Sequence, residues 1–236
     1  MAARAGLHPN VASVVAGDHA ASRQWKAAHR DFARPEQWLK RSFDIAAAGL
    51  LGGMTLPIVV AAATVILAVD HHVPFLADWR VGRDGRLFRC WKLRTMTTDS
   101  SVLQGYLDDH PEERARYEVS RKLRYDPRVT RLGRILRSFS LDELPQFINV
   151  LFGEMSIVGP RPISEREWVY RGHRREVLAT VRSGLTGLWQ VSGRSDILPR
   201  TRVALDYLYV RHRSIPLDIA IMARTPWAVL TRRGAR

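Results

Sequence analysis

The longest uninterrupted apolar pattern covers residues 45–69, 25 residues without a charge. At 1.5 Å per residue it is long enough to cross a bilayer core of roughly 30 Å. It starts too late and is too long for a cleavable signal peptide. Three arrangements compete: a spanning helix, a helix-break-helix hairpin that enters and leaves on one face, and a buried core helix. Pro57 stands at the centre of the run, with Gly49, Gly52 and Gly53 just before it. Proline removes one helical hydrogen bond and crowds the preceding turn, but spanning helices tolerate it. The flanks carry more weight. Residues 1–44 hold seven Lys or Arg against four Asp or Glu, and residues 71–236 hold 30 against 18. Both flanks are basic, so the positive-inside tendency keeps both in the cytoplasm. The pattern favours a re-entrant membrane hairpin over residues 37–72 with its break at Pro57. A cytoplasmic domain over 73–236 follows it. Residues 1–36 lack periodicity and read as a mobile tail.

Beyond the hairpin the period changes. Residues 75–79 and 87–93 are strand-like, and Asp84-Gly85 between them is a hairpin signal. Residues 100–124 are densely charged and read as helical, with Pro111 opening a second piece. Val129, Leu132, Leu136 and Phe139 recur at three- and four-residue steps, the mark of an amphipathic helix. Arg128, Arg131, Arg134 and Arg137 line its polar side, as a solvated face or as contacts to headgroup or substrate phosphate. Leu144, Phe147, Ile148 and Leu151 form the next apolar stripe. Residues 165–181 and 202–210 read as helices, and residues 183–187 and 192–194 as loops. Residues 215–231 are apolar around Pro216 and Pro226, and suit an interface. The expected class is mixed α/β, mainly helical with a small β-hairpin or sheet. A re-entrant membrane helix-break-helix opens it, and interfacial amphipathic helices complete it.

Composition narrows the chemistry. The chain has 236 residues and a net charge of +14, so it needs an anionic partner or surface. Its aromatic residues do not interleave with the basic ones as in a stacking platform, which speaks against nucleic acid. Cys90 is the lone cysteine, so no internal disulfide forms. The eight histidines show no zinc spacing.

Asp142 and Glu143 stand out in this basic background, followed by a turn rich in Gly, Pro and Arg over residues 153–162. Ser140 and Glu143 fit a capping box, a purely structural role. Pro145 conflicts with it, because counted from Ser140 it falls beyond the first turn; the helix then kinks or starts at Pro145. In either case two carboxylates stand at an irregular helix start. A carboxylate can attack phosphorus. Mg²⁺, held by carboxylates and substrate phosphates, screens the repulsion, and arginines clamp phosphate bidentately.

The motifs, in order, are Lys40-Arg41-Ser42-Phe43-Asp44, Arg80-Val81-Gly82, Lys92-Leu93-Arg94-Thr95-Met96, Asp126-Pro127-Arg128-Val129-Thr130 and Leu141-Asp142-Glu143-Leu144-Pro145-Gln146. Gly159-Pro160-Arg161-Pro162, Gly184-Leu185-Thr186-Gly187, Gln190-Val191-Ser192-Gly193-Arg194 and Asp206-Tyr207 follow. Together they resemble the bacterial sugar transferases, monotopic phosphoglycosyl transferases acting on polyprenyl phosphate. The resemblance covers roughly residues 38–231. It implies that Asp142 attacks a UDP-sugar, releases UMP and carries a phosphosugar until undecaprenyl phosphate takes it. It further implies Mg²⁺ at Glu143 with Asp142. Lys92, Arg94, Arg137, Pro160, Arg161, Arg194 and Asp206 would line the substrate site. The implied partners are a UDP-sugar, undecaprenyl phosphate and the anionic cytoplasmic leaflet of a bacterial inner membrane, with a homodimer left open.

Asp78 and Ser183 depart from the usual family residues, which touches loop shape only. Leu188-Trp189-Gln190 with Arg194-Ser195-Asp196 resembles galactose- or glucose-phosphate transferases of exopolysaccharide synthesis, with galactose slightly ahead. The resemblance also implies a short member, without the multi-helix membrane region of larger ones. The rival readings are a membrane-tethered basic binding protein and a non-catalytic scaffold of a polysaccharide assembly complex.

Overall fold

The apolar run folds as part of one long helix, α1, Arg34–Asp70. This computed structural model describes residues 34–120, 123, 125–169, 171, 174–193 and 197–231. The tail expected over residues 1–36 lies outside them, except that residues 34–36 already belong to α1. Pro57 sits inside α1 without interrupting it, so the expected helix-break-helix is not seen as a break. The residue its ring must clear, four positions back, is Gly53, which has open space around it. The hydroxyl of Thr55 donates to the carbonyl oxygens of Leu51 and Gly52, binding the turn before the proline. Among the described residues, α1 is the one helix long and apolar enough to cross a membrane.

A hairpin follows. β1, Phe75–Val81, pairs antiparallel with β2, Leu87–Leu93, in a register from Phe75 opposite Leu93 to Val81 opposite Leu87. A 3-10 turn, Arg83–Gly85, joins them. Next come α2, Ser100–Asp109, and α3, Pro111–Ser120, divided at Pro111 as expected. The amphipathic helix is α4, Arg131–Ser138; the Thr130 hydroxyl caps its start by accepting from the Gly133 amide. A 3-10 turn, Leu141–Glu143, leads to α5, Gln146–Phe152.

The second sheet departs from the sequence pattern. β3, Met155–Val158, pairs in parallel with β4, Ser183–Thr186, where the pattern implied turn and loop. All four residues of β3 are buried. A short strand covered on both faces shows no alternation to read. Between the strands lie α6, Glu165–Val169, and α7, Arg174–Leu178, in place of one longer helix. The chain continues through α8, Leu188–Val191, and α9, Pro199–His212. It ends in α10, Ile215–Leu230, which is continuous through Pro226.

The core gathers around the parallel pair. Met155, Ile157 and Val158 pack with Phe147 and Val150 of α5, Tyr209 and Val210 of α9, and Ile221 of α10. A second cluster joins Ile66 of α1 to Leu93 and Leu136. Thus α1 meets the domain on both sides of Pro57. On the near side Asp44 is buried, accepting from the Ser156 hydroxyl at 2.8 Å and the Ile157 amide at 3.1 Å. Arg41 donates to the carbonyl oxygens of Val150 and Leu151 in the last turn of α5. On the far side Ile66 is fully buried. Between these anchors Leu50, Met54 and Leu56 stay exposed, as do Ile219 and Trp227 of α10. Contiguous apolar surface of this kind marks a membrane or partner contact.

Candidate active site

The acidic pair lies on the 3-10 turn between α4 and α5. Ser140 enters that turn with a left-handed backbone, φ 55°, and makes no side-chain cap. The capping box that would have made Glu143 merely structural is not formed. The helix begins at Gln146, directly after Pro145, so proline occupies a position where its missing N–H is harmless. The conflict between Ser140 and Pro145 is resolved in favour of Pro145.

Glu143 is the centre of a cation cluster. Its Oε1 accepts from Lys92 Nζ at 3.0 Å and Arg161 Nη2 at 3.4 Å. Lys92 comes from β2, 51 residues away, and Arg161 from the loop after β3. Asp142 is different. It is 8% exposed, and among the described residues no hydrogen bond or ion pair reaches its carboxylate. Burial pushes its pKa up and the neighbouring Glu143 adds to this; Lys92, Arg137 and Arg161 pull it back. Arg137 is held for that purpose by donating from Nε to the Thr95 hydroxyl at 2.8 Å.

A narrow cleft of about 10 Å³ is lined by Arg80, Cys90, Lys92, Glu143, Arg161 and Gln190, among others. That is room for about one water. Arg161, whose side chain is 44% exposed, closes one side of the cleft by reaching Glu143.

The Arg161 loop is shaped from beneath. A Cβ on Gly184 would overlap the Gly159 nitrogen and the Thr186 carbonyl oxygen, and one on Gly159 would stand 2.6 Å from the Arg182 carbonyl oxygen. Only glycines let the two segments approach so closely. Arg161 and Arg202 both stack over Trp189, at 5.8 and 5.1 Å from the ring centre.

The expected site residues separate. Lys92, Arg137, Asp142, Glu143 and Arg161 come together. Asp206 is buried one step behind, paired with Arg171 at 3.3 Å. Burial raises its pKa to about 7 against the pull of Arg171 and Arg161, and its Oδ1 has no hydrogen-bond partner. Pro160 is buried in the turn before Arg161 and does not line the cleft. Arg94 points elsewhere, its Nε donating to the Val73 carbonyl oxygen at 2.7 Å. Arg194 lies outside the described residues.

Gln146 and Cys90 line the cleft without having been singled out as site residues from the sequence. Cys90 was legible, since it shares a strand face with Lys92 at period two. Burial pushes its thiol up to about 11, so it is not a thiolate nucleophile.

The donor set can be tested against Mg²⁺. Among the described residues no group of three or more His, Cys, Asp or Glu forms a cage. Mg²⁺ needs none, because it keeps several waters and shares its shell between one or two carboxylates and substrate phosphates. Adjacent Asp142 and Glu143, the former without a protein partner, fit that demand.

Residues 35–232 match the family model described as bacterial sugar transferase. The chain is 44% identical over 204 residues to the UDP-galactose-lipid carrier transferase of Erwinia amylovora, covering 84% of this chain and 42% of that protein. It is 42% identical over 197 residues to the exopolysaccharide production protein ExoY of Sinorhizobium fredii, covering 83% and 87%. Over 203 residues it is 41% identical to the undecaprenyl-phosphate galactose phosphotransferase of Salmonella typhimurium, covering 86% and 42%. It therefore spans under half the length of the first and third of these relatives.

Proposed function

Since the chain belongs to the bacterial sugar transferase family, we propose that it transfers a sugar 1-phosphate from a UDP-sugar to undecaprenyl phosphate. The observation that carries this reading is Asp142: a buried carboxylate without a partner of its own, ringed by Lys92, Arg137 and Arg161. A carboxylate stored for structure alone is normally hydrogen-bonded. One left unpaired beside cations, next to the cleft-lining Glu143, is poised as a nucleophile.

An oxygen of Asp142 attacks the phosphorus that carries the sugar. The bond from that phosphorus to the bridging oxygen breaks, and UMP leaves with that oxygen. Arg137 and Arg161 neutralise the charge that develops on the phosphoryl oxygens. Lys92 and Arg161 are free to do so once the substrate draws them from Glu143. A phosphate oxygen of undecaprenyl phosphate then attacks the same phosphorus. The Asp142 carboxylate departs and is regenerated, leaving a polyprenyl diphosphate sugar. Asp142 and Glu143 would hold Mg²⁺, which when bound screens the diphosphate charge.

The sugar is a hexose, with galactose favoured over glucose; two relatives carry galactose in their names. The product would start an exopolysaccharide or related repeat unit. The acceptor's phosphate lies at headgroup level because its isoprenoid tail is in the bilayer. The domain accordingly sits at the cytoplasmic face of the inner membrane, with the exposed apolar middle of α1 dipping into it. The burial of Asp44 and of Ile66 against one body supports a monotopic course over a span. A straight spanning helix would carry those two residues to opposite sides of the membrane.

The test uses the detergent-solubilised full chain with Mg²⁺, undecaprenyl phosphate and a panel of UDP-sugars, with UMP as the readout. UMP release with at least one hexose donor is expected. No UMP with any donor from well-folded protein would overturn the reading.

A further inference from the structure

A cavity of about 340 Å³ shares no residue with the catalytic cleft. It opens where the first turns of α1 meet the start of α10, with Leu39 and Ile215 in its wall. Four cations, Lys40, Arg83, Arg182 and Arg213, line it with two carboxylates, Asp44 and Asp218. Those carboxylates are already engaged. Lys40 Nζ sits 2.7 Å from Asp44 and 2.8 Å from Asp218. Ser156 and the Ile157 amide also donate to Asp44, and the Tyr209 hydroxyl donates to Asp218.

Arg83 and Arg182 are left with charge to spare. Arg83 has only a long contact of 3.6 Å to Asp84, and its Nε is buried without an acceptor. Arg182 donates from Nε to the Gly153 carbonyl oxygen, and among the described residues no carboxylate lies within ion-pair distance of it. Burial and the nearby guanidiniums of Arg83 and Arg41 depress its pKa, as expected of like charges crowded together.

We propose that this cavity is a second anion site that takes a phosphate group through Arg83 and Arg182, apart from the catalytic cleft. Guanidinium groups suit phosphate oxygens, which they clamp through parallel hydrogen bonds. The volume lies within the range of small-ligand pockets. The wall also offers more apolar than polar surface, with Leu39, Val158, Val181 and Ile215 beside the cations. Leu39 itself is exposed, just ahead of the apolar run. The phosphate therefore belongs either to a lipid headgroup at the membrane surface or to a free phosphorylated solute.

The experiment measures binding to the detergent-purified full chain. Its probes are inorganic phosphate, short-chain phosphatidylglycerol, and short-chain phosphatidylcholine as a zwitterionic control. Phosphatidylglycerol is expected to bind, and Arg83→Gln with Arg182→Gln should weaken it by about tenfold or more, as loss of charge-assisted hydrogen bonds implies. Lys92→Gln, in the catalytic cleft, should leave that affinity unchanged. The Arg83→Lys and Arg182→Lys pair, which keeps the charge, should retain part of the binding and confirms folding. Equal binding of inorganic phosphate assigns the site to a free anion, and lipid binding alone assigns it to a headgroup. Failure of both to bind, or loss through Lys92→Gln with the double arginine variant unaffected, overturns the proposal. Neither outcome bears on UMP release, so it is separable from the catalytic reading.

Discussion

The Nζ of Lys92 lies 3.0 Å from Oε1 of Glu143, a contact between a β-strand and a 3-10 turn 51 residues apart. It orients Glu143 and leaves the adjoining Asp142 carboxylate without a protein partner. Under the proposed mechanism Lys92 and Glu143 would act through separate routes, one as a charge on phosphate and one as a metal ligand. Lys92→Met and Glu143→Gln are each expected to lower the UMP release rate by about 10²–10³-fold. Asp142→Asn should abolish it, and no phosphosugar adduct should be found on that variant by mass spectrometry. Arg94→Gln should change the rate by less than about threefold, because Arg94 faces Val73 and not the cleft. A large effect at Arg94 would show that the cleft reorganises around the substrate.

Chelation offers a second check. With two carboxylates as the protein's proposed contribution, Mg²⁺ would be held mainly through the substrate's phosphates. EDTA should stop UMP release and leave the thermal unfolding midpoint nearly unmoved. A large drop in the midpoint would instead indicate a structural metal.

Membrane course is tested by labelling. In a Cys90→Ser background, Ser22→Cys and Asp109→Cys should react with a membrane-impermeant maleimide from the same side of sealed inverted vesicles. Labelling from opposite sides would establish a spanning helix.

Asp206 makes stability depend on pH. It keeps its proton up to about pH 7 in the folded chain, against an ordinary value of 3.8. The folded state binds the extra proton between those values, so the contribution is complete below pH 4 and is lost as pH rises through 7. The denaturant midpoint of the wild type should fall between pH 5.5 and 8 by more than that of Asp206→Asn. Equal falls would remove Asp206 as the cause.

The glycine contact beneath the Arg161 loop gives a further test. Gly184→Ala forces a methyl group into the Gly159 and Thr186 backbone. It should cost about 1–3 kcal/mol of stability, as overpacking does, and raise KM for the UDP-sugar by displacing Arg161. An unchanged KM would uncouple the strand pair from the site.

Much of the site was legible because it lies in contiguous motifs. Asp142 and Glu143 were conspicuous as acids beside a proline in a basic chain, Arg137 as the cation nearest them, and Arg161 through the family resemblance. The hairpin from Phe75 to Leu93 was legible from its turn chemistry, and α2 and α3 from Pro111. The parallel pair of β3 and β4 was not, because four buried residues carry no period and their partners lie outside any local window. Residues 215–231 looked broken by Pro226, yet packing of Ile221 and burial of Asp218 carry the helix through it.

By itself the sequence determined the long apolar segment, the basic balance, the main amphipathic helices and the identity of the acidic pair. These are properties of composition and short-range period, set by side-chain polarity and backbone sterics within a turn or two. Only the tertiary structure decided which cations serve which carboxylate. Lys92 and Arg161 converge on Glu143, Arg94 turns away, and Lys40 bridges Asp44 and Asp218 instead. Such pairings depend on how strands and helices pack across long stretches of chain, and on the burial that makes an unpaired charge costly.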